Sequence, residues 1–208
     1  MNKTRKQSKS IDFQILEAIN SRGYGAVFVP MDFLDLGSRQ AVDIVLHRLV
    51  RKGTIRRLAR GIYDFPEEHP ILGKLQPSPE KIAQALVGRD YTRIQPTGAY
   101  AANILGLSEQ VPAKVVFLTD GPSRTVKIGT TTIQLRRTTP KNMAMAGRLS
   151  GLLIQAFREL GRENMTIERV KHLKRILPYD KRQELLKDIR FAPEWMRSIF
   201  RKLAEETM

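Results

Sequence analysis

Apolar residues recur at helical spacing over residues 10–22, where Ile11, Phe13, Ile15, Leu16 and Ile19 follow Ser10, a good N-cap, and Arg22-Gly23 stops the pattern. Ala26-Val27-Phe28-Val29 reads as a short extended piece, and Met31 to Leu36 as a brief helix closed by Gly37. Ser38 then caps a longer helix to about Lys52, with Gly53 just past its end. In that helix Ala41, Val42, Val45, Leu46, Leu49 and Val50 form one stripe, while Arg39, Gln40, Asp43, His47 and Arg51 fall largely on the other side. After Gly53 the period changes to two: Thr54 to Arg60 predicts a strand, Gly61 a tight turn, and Ile62 to Phe65 a return strand ended by Pro66. Helix, short helix, longer helix and basic hairpin is the order of a winged helix-turn-helix. Glu67 to Pro79, with Pro70, Gly73, Pro77 and Pro79, reads as a linker.

The second part opens with Ser78-Pro79-Glu80, a cap, a proline at the first helical position and an acidic first turn. Thr97 is placed to cap a further short helix up to Leu105. Three β-rich runs follow over residues 113–138: Lys114–Thr119, Arg124–Ile128 and Thr131–Arg137, the last two joined as a hairpin through Gly129-Thr130. From Lys141 the pattern is helical, with Met145 to Leu160 strongly periodic, Thr166 starting another helix, and final helices near Asp180–Ile189 and Pro193–Glu205. The expected class is α+β, with a winged helix in residues 1–70 and, in residues 71–208, an α+β domain with a small sheet and a helical bundle over residues 141–208.

Charge changes the picture more than composition does. Hydrophobic residues make up 41% of the 208 positions, ordinary for a globular chain, but 36 Lys and Arg against 21 Asp and Glu leave a formal charge of +15. The excess is spread, at +4, +5 and +6 over residues 1–70, 71–140 and 141–208, so it is a property of the whole surface and favours polyanions. From Arg48 to Arg60 there are six basic residues (Arg48, Arg51, Lys52, Arg56, Arg57, Arg60) and no acidic one. A solvated face also explains such a run.

No chemistry of catalysis stands out, and the protein is read as not an enzyme, without cofactor or metal. With no cysteine there is no thiolate nucleophile or Cys-ligated metal, and His47, His69 and His172 are too far apart for a metal site. Phosphate-loop, dinucleotide, nucleophile-elbow and zinc-helix motifs are absent. The basic start, Lys3 to Lys9, is not followed by an apolar region, so no secretory signal is read. No apolar run approaches the roughly 20 residues of a membrane span, and a cytoplasmic location is expected.

Binding is better supported. Near the start of the Ser38 helix, Arg39 can pair with guanine O6 and N7, Gln40 with adenine N6 and N7, and Ser38 or the helix N-terminus can hold a phosphate. Asp43 and His47 lie one and two turns on, Arg48 and Arg51 follow, and Arg56, Arg57 and Arg60 sit on the wing for the adjacent backbone or minor groove. The double-stranded DNA reading has two rivals: an RNA-binding module using the basic C-terminal helices, and a protein-interaction adaptor docking through the Trp195 helix.

Residues 38–66, with Ala41, Leu46, Leu49, Gly53, Ile55, Arg57, Gly61-Ile62-Tyr63 and Pro66, resemble the winged helix of the abortive-infection AbiE-type antitoxins of type IV toxin–antitoxin systems. Gln95-Pro96-Thr97-Gly98-Ala99, Leu105-Gly106-Leu107, Gln110-Val111-Pro112, Phe117-Leu118-Thr119-Asp120 and the Ile133–Pro140 strand are similar to the domain that follows it there. The likeness spans about residues 10–140 and rests on the order of short motifs. It implies a phage-defence antitoxin whose winged helix represses its own promoter at inverted repeats. Its C-terminal domain would counter a nucleotidyltransferase-type toxin.

Overall fold

The computed structural model describes residues 10–88 and 92–206. The chain is α+β and separates into two compact units, residues 1–91 and 92–208. The sequence division at residue 70 is therefore displaced: the helix capped by Ser78 belongs to the first unit.

In that unit α1 (Ile11–Arg22) and α2 (Arg39–Arg51) start as their caps dictate, the Ser10 and Ser38 hydroxyls accepting from Phe13 and Ala41 N–H at 3.3 Å. The expected brief helix is a single 3-10 turn, Pro30–Phe33. Asp32 pins this turn, accepting from Val29 N–H at 3.0 Å and from Arg22 at 3.1 Å. A three-stranded antiparallel sheet of β1 (Val27–Phe28), β2 (Arg56–Ala59) and β3 (Ile62–Asp64) has the order β1-β3-β2. Ile15, Ile19, Phe28, Phe33, Val42, Val45, Leu46, Leu49, Ile55 and Tyr63 fill one core between helices and sheet. This is the winged helix-turn-helix arrangement, with β2–β3 as the wing.

Residues 67–79 are more than a linker. They hold a small hairpin, β4 (Glu68–His69) with β5 (Gly73–Lys74), before α3 (Pro79–Val87). Within this stretch Leu75 N–H donates to Glu67 O at 2.8 Å, and Leu75 O accepts from Arg56 at 2.7 Å, which ties the stretch to β2.

The second unit has a four-stranded sheet of order β6-β7-β9-β8: β6 (Ile94–Thr97), β7 (Lys114–Thr119), β8 (Arg124–Ile128) and β9 (Thr131–Arg137). The β8–β9 hairpin forms as expected, but β9 inserts beside β7 and runs parallel to it. β6 was not foreseen. Thr97 ends this strand and leads into α4 (Gly98–Ile104), yet its hydroxyl does not cap that helix; it donates to Gln155 at 2.7 Å. The helical remainder is α5 (Pro140–Met143), α6 (Leu149–Leu160), α7 (Ile167–Ile176), α8 (Tyr179–Asp188) and α9 (Glu194–Ala204). Its core gathers Leu153, Phe157, Leu173, Leu185, Met196, Phe200 and Leu203, with Trp195 half-buried against it.

The loop after β7 is closed by charge. Asp120 accepts from the Arg93 backbone N–H at 2.9 Å and from its Nε at 2.8 Å, while Arg93 also donates to Met143 O. The Arg93 side-chain hydrogen bond, above all, holds the Asp120 carboxyl below its ordinary pKa, against a smaller opposing effect of burial. A carboxylate whose folded pKa is depressed stabilises the fold above its unfolded pKa and loses that contribution as pH falls through the folded value. Asp120→Asn is therefore expected to lower the thermal midpoint at neutral pH, with the gap to the parent closing below about pH 4. Melting curves across pH check this; a gap that persists in acid would assign the loss to packing instead.

Candidate nucleic-acid interface

The face of α2 is set by its amphipathic spacing. Val42, Val45, Leu46 and Leu49 are buried at 7% exposure or less, which turns Arg39, Gln40, His47, Arg48 and Arg51 to solvent and leaves Asp43 half-exposed. Arg39, Gln40, Asp43, His47, Arg48 and Arg51 line one shallow open groove along the helix.

Within this groove the charges are partly neutralised. Arg39 Nε donates to Asp43 at 2.9 Å, an i,i+4 pair with side chains 54% and 47% exposed, and Arg39 Nη1 lies 4.0 Å from the Met31 sulfur. Arg48 donates to Asp12 of α1 at 3.0 Å. Exposed pairs of this kind contribute only about 0.3–0.5 kcal/mol, so a stronger acceptor can replace either carboxylate. Ser38 accepts from Ala41 N–H, which leaves its own hydroxyl hydrogen available to an outside oxygen.

The wing is short. Arg60 and Gly61 make its tip, where Gly61 at φ +72° adopts a backbone conformation that a β-carbon would strain. Arg57 and Arg60 are exposed. Arg56 is not available in the way its place in the basic run predicts. Its Nε and Nη2 grip both oxygens of Asp64, at 3.1 and 2.6 Å, and Nη2 also reaches Leu75 O. Asp64 is 1% exposed, so this guanidinium is the counter-ion of a buried carboxylate and belongs to the scaffold. The sequence gives no local sign of the pairing, because the two residues meet only through the β2–β3 register.

One residue escaped the sequence reading. Ile44 is 45% exposed in the middle of the α2 face, among the polar groups of the groove. Its spacing, four residues after Gln40 and three before His47, was the available signal. An apolar side chain there is suited to a thymine methyl group.

Elsewhere the histidines serve the fold: His69 Nδ1 accepts from Ile71 and Leu72 N–H, and His172 Nε2 lies 3.1 Å from Leu105 O. Among the described residues no group of three or more His, Asp or Glu side chains is placed to hold a metal, and no helix is long and apolar enough to cross a membrane.

Fold and geometry together define a winged-helix unit followed by an α+β unit. The chain belongs to DUF6088, a family of unknown function, whose profile matches residues 14–185. Among solved structures the RV2827C protein from Mycobacterium tuberculosis is similar at 14% identity and a TM-score of 0.47, over 98% of this chain and 85% of that one. No curated protein matches the chain.

Removing Arg56 strands a buried carboxylate, so Arg56→Ala is expected to destabilise the first unit by about 3 kcal/mol, whereas Arg57→Ala stays within about 0.5 kcal/mol. Denaturant titration of the two variants decides it; equal small losses would mean that Asp64 finds another partner.

Proposed function

We propose that the first unit binds duplex DNA, with α2 in the major groove and the wing on the neighbouring backbone, and that the protein is a transcriptional regulator. The observation that carries this reading is the outward display of Arg39, Gln40, Asp43 and His47 on α2, above a stripe of four buried aliphatic side chains. These are side chains that hydrogen-bond base edges, and they start at the N-terminal end of the helix that a winged-helix fold places in the groove. Arg48, Arg51, Arg57 and Arg60 supply phosphate contacts without touching the buried core. A net charge of +15 adds attraction toward any polyanion and does nothing to select a sequence.

The resemblance of its motifs to AbiE-type antitoxins extends the proposal. The regulated promoter is then the protein's own, the site an inverted repeat, and the second unit the part that counters a nucleotidyltransferase-type toxin, in a cytoplasmic phage-defence operon. A nucleotidyltransferase reading frame directly downstream supports this extension, and its absence removes it while leaving the DNA reading intact.

Binding to the upstream duplex and to a random duplex, over a range of salt, tests the core of the proposal. If about six phosphates are neutralised, log K falls against log[salt] with a slope of about −5. Arg39→Ala and Gln40→Ala each cost about 1–3 kcal/mol on the specific duplex and relax one base position, while Arg57→Ala weakens both duplexes alike and flattens the slope by about one. Equal losses on both duplexes for Arg39→Ala and Gln40→Ala would overturn α2 as the reading helix.

A further inference from the structure

The second unit carries a cationic cavity that neither the DNA reading nor the fold requires. It has a volume of about 150 Å3 and lies beside α6, between the α5 segment and the turn that leads into α9. Gly151, Ile154 and Gln155 are its buried residues on α6, and Lys141, Arg158, Arg190 and Phe191 are exposed around it. No acidic side chain lines it.

Three features point to an anion. Lys141, Arg158 and Arg190 make no ion pair with a carboxylate among the described residues, although this unit neutralises other arginines: Arg148 with Asp188 at 2.7 Å, Arg93 with Asp120 at 2.8 Å, and Arg197 with Glu194 at 2.6 Å. Three like charges around one cavity repel one another unless an anion joins them. Gln155 is 7% exposed, and its carbonyl is already engaged by Thr97. Its amide Nε2 has no acceptor among the described residues and is not sealed from solvent, which leaves its N–H donors open to a ligand in the cavity. Phe191 supplies a ring, 41% exposed, with the Arg190 guanidinium carbon 4.8 Å from its centroid. An aromatic surface backed by a guanidinium is a platform for a planar ring beside the charge.

We propose that this cavity binds the phosphate of a single nucleotide, with Arg158, Arg190 and Lys141 around the phosphate oxygens, Gln155 donating to one of them, and the base against Phe191. A free 5′-mononucleotide and the 5′-phosphate at the end of a strand share that chemistry. The assignment uses the second unit alone and stands apart from the DNA reading.

Calorimetry on the full chain tests it with 5′-AMP, adenosine, inorganic phosphate, and a single-stranded tetranucleotide with and without a 5′-phosphate. The parent is expected to bind AMP more tightly than phosphate, and adenosine not at all. Arg158→Ala and Arg190→Ala, both exposed, each weaken AMP by about tenfold or more, whereas Lys187→Ala, exposed on α8 and away from the cavity lining, leaves it unchanged. Tighter binding of the 5′-phosphorylated tetranucleotide than of AMP assigns a strand end; the reverse assigns a free nucleotide. AMP binding that ignores both pocket variants, or no binding of AMP or the phosphorylated strand, overturns the site. Phosphate bound as tightly as AMP overturns the nucleotide assignment.

Discussion

Asp64 is the constraint on which the winged helix is built. A carboxylate at 1% exposure is tolerable only with a partner that returns what water gave it, and Arg56 does so through two parallel hydrogen bonds. The two residues face each other across the β2–β3 ladder, so the ion pair exists only in one register. Slipping by one residue would separate the charges and move each β3 side chain to the opposite face of the sheet. Because Arg56 also takes Leu75 O, the same guanidinium ties the segment after β5 to the wing.

The wider consequence concerns how a basic chain divides its cations. Some arginines hold the fold: Arg56 for Asp64, Arg93 for Asp120, Arg148 for Asp188, and Arg182, 4% exposed, which donates to Leu203 O in the last turn of α9 and to Glu205 O just past its end. Arg182 meets the negative end of that helix, where a cation is favoured. Others carry no such commitment, as on the α2 face and wing and around the α6 cavity. Net charge alone does not separate the two groups. For Arg56 and Arg148 burial of the partner does, since Asp64 and Asp188, at 1% and 7% side-chain exposure, require their arginines, whereas Asp12 and Asp43, near half exposure, do not.

Much of the architecture could be read from local chemistry. Ser10, Ser38, Ser78 and Thr166 each accept from a backbone N–H at the start of the helix they were expected to cap. The α2 stripe and the β8–β9 hairpin also fall where the periodicity puts them. What escaped is long-range. β6 contains Gln95 and Pro96, a poor strand signal, and is tolerated because it pairs on one side only, as an edge strand of the sheet. The parallel contact of β7 with β9 arises because residues 120–123 carry the chain past the place of β9 to β8 and the hairpin returns β9 between them, which no alternation of residues encodes. Within the candidate interface, the helix positions followed from the 3.6-residue period alone, whereas the role of Arg56 needed a partner eight residues away.

The Arg39–Asp43 pair shows what this arrangement implies for selectivity. In the structure Asp43 keeps Arg39 laid along the helix, at a distance of 2.9 Å. If α2 enters a major groove as proposed, exchange of that exposed contact for two bonds to a guanine edge would lose a few tenths of a kcal/mol and gain about 1–3, so the correct base would win clearly. A base that offers only one acceptor gains less, and Arg39 can then stay with Asp43. On the DNA reading proposed above, the carboxylate would act as an internal competitor, weak enough to yield to the right partner and close enough to be preferred over a poor one. Replacing it would be expected to raise affinity for wrong sequences more than for the right one, the mark of a side chain that selects by opposing rather than by binding.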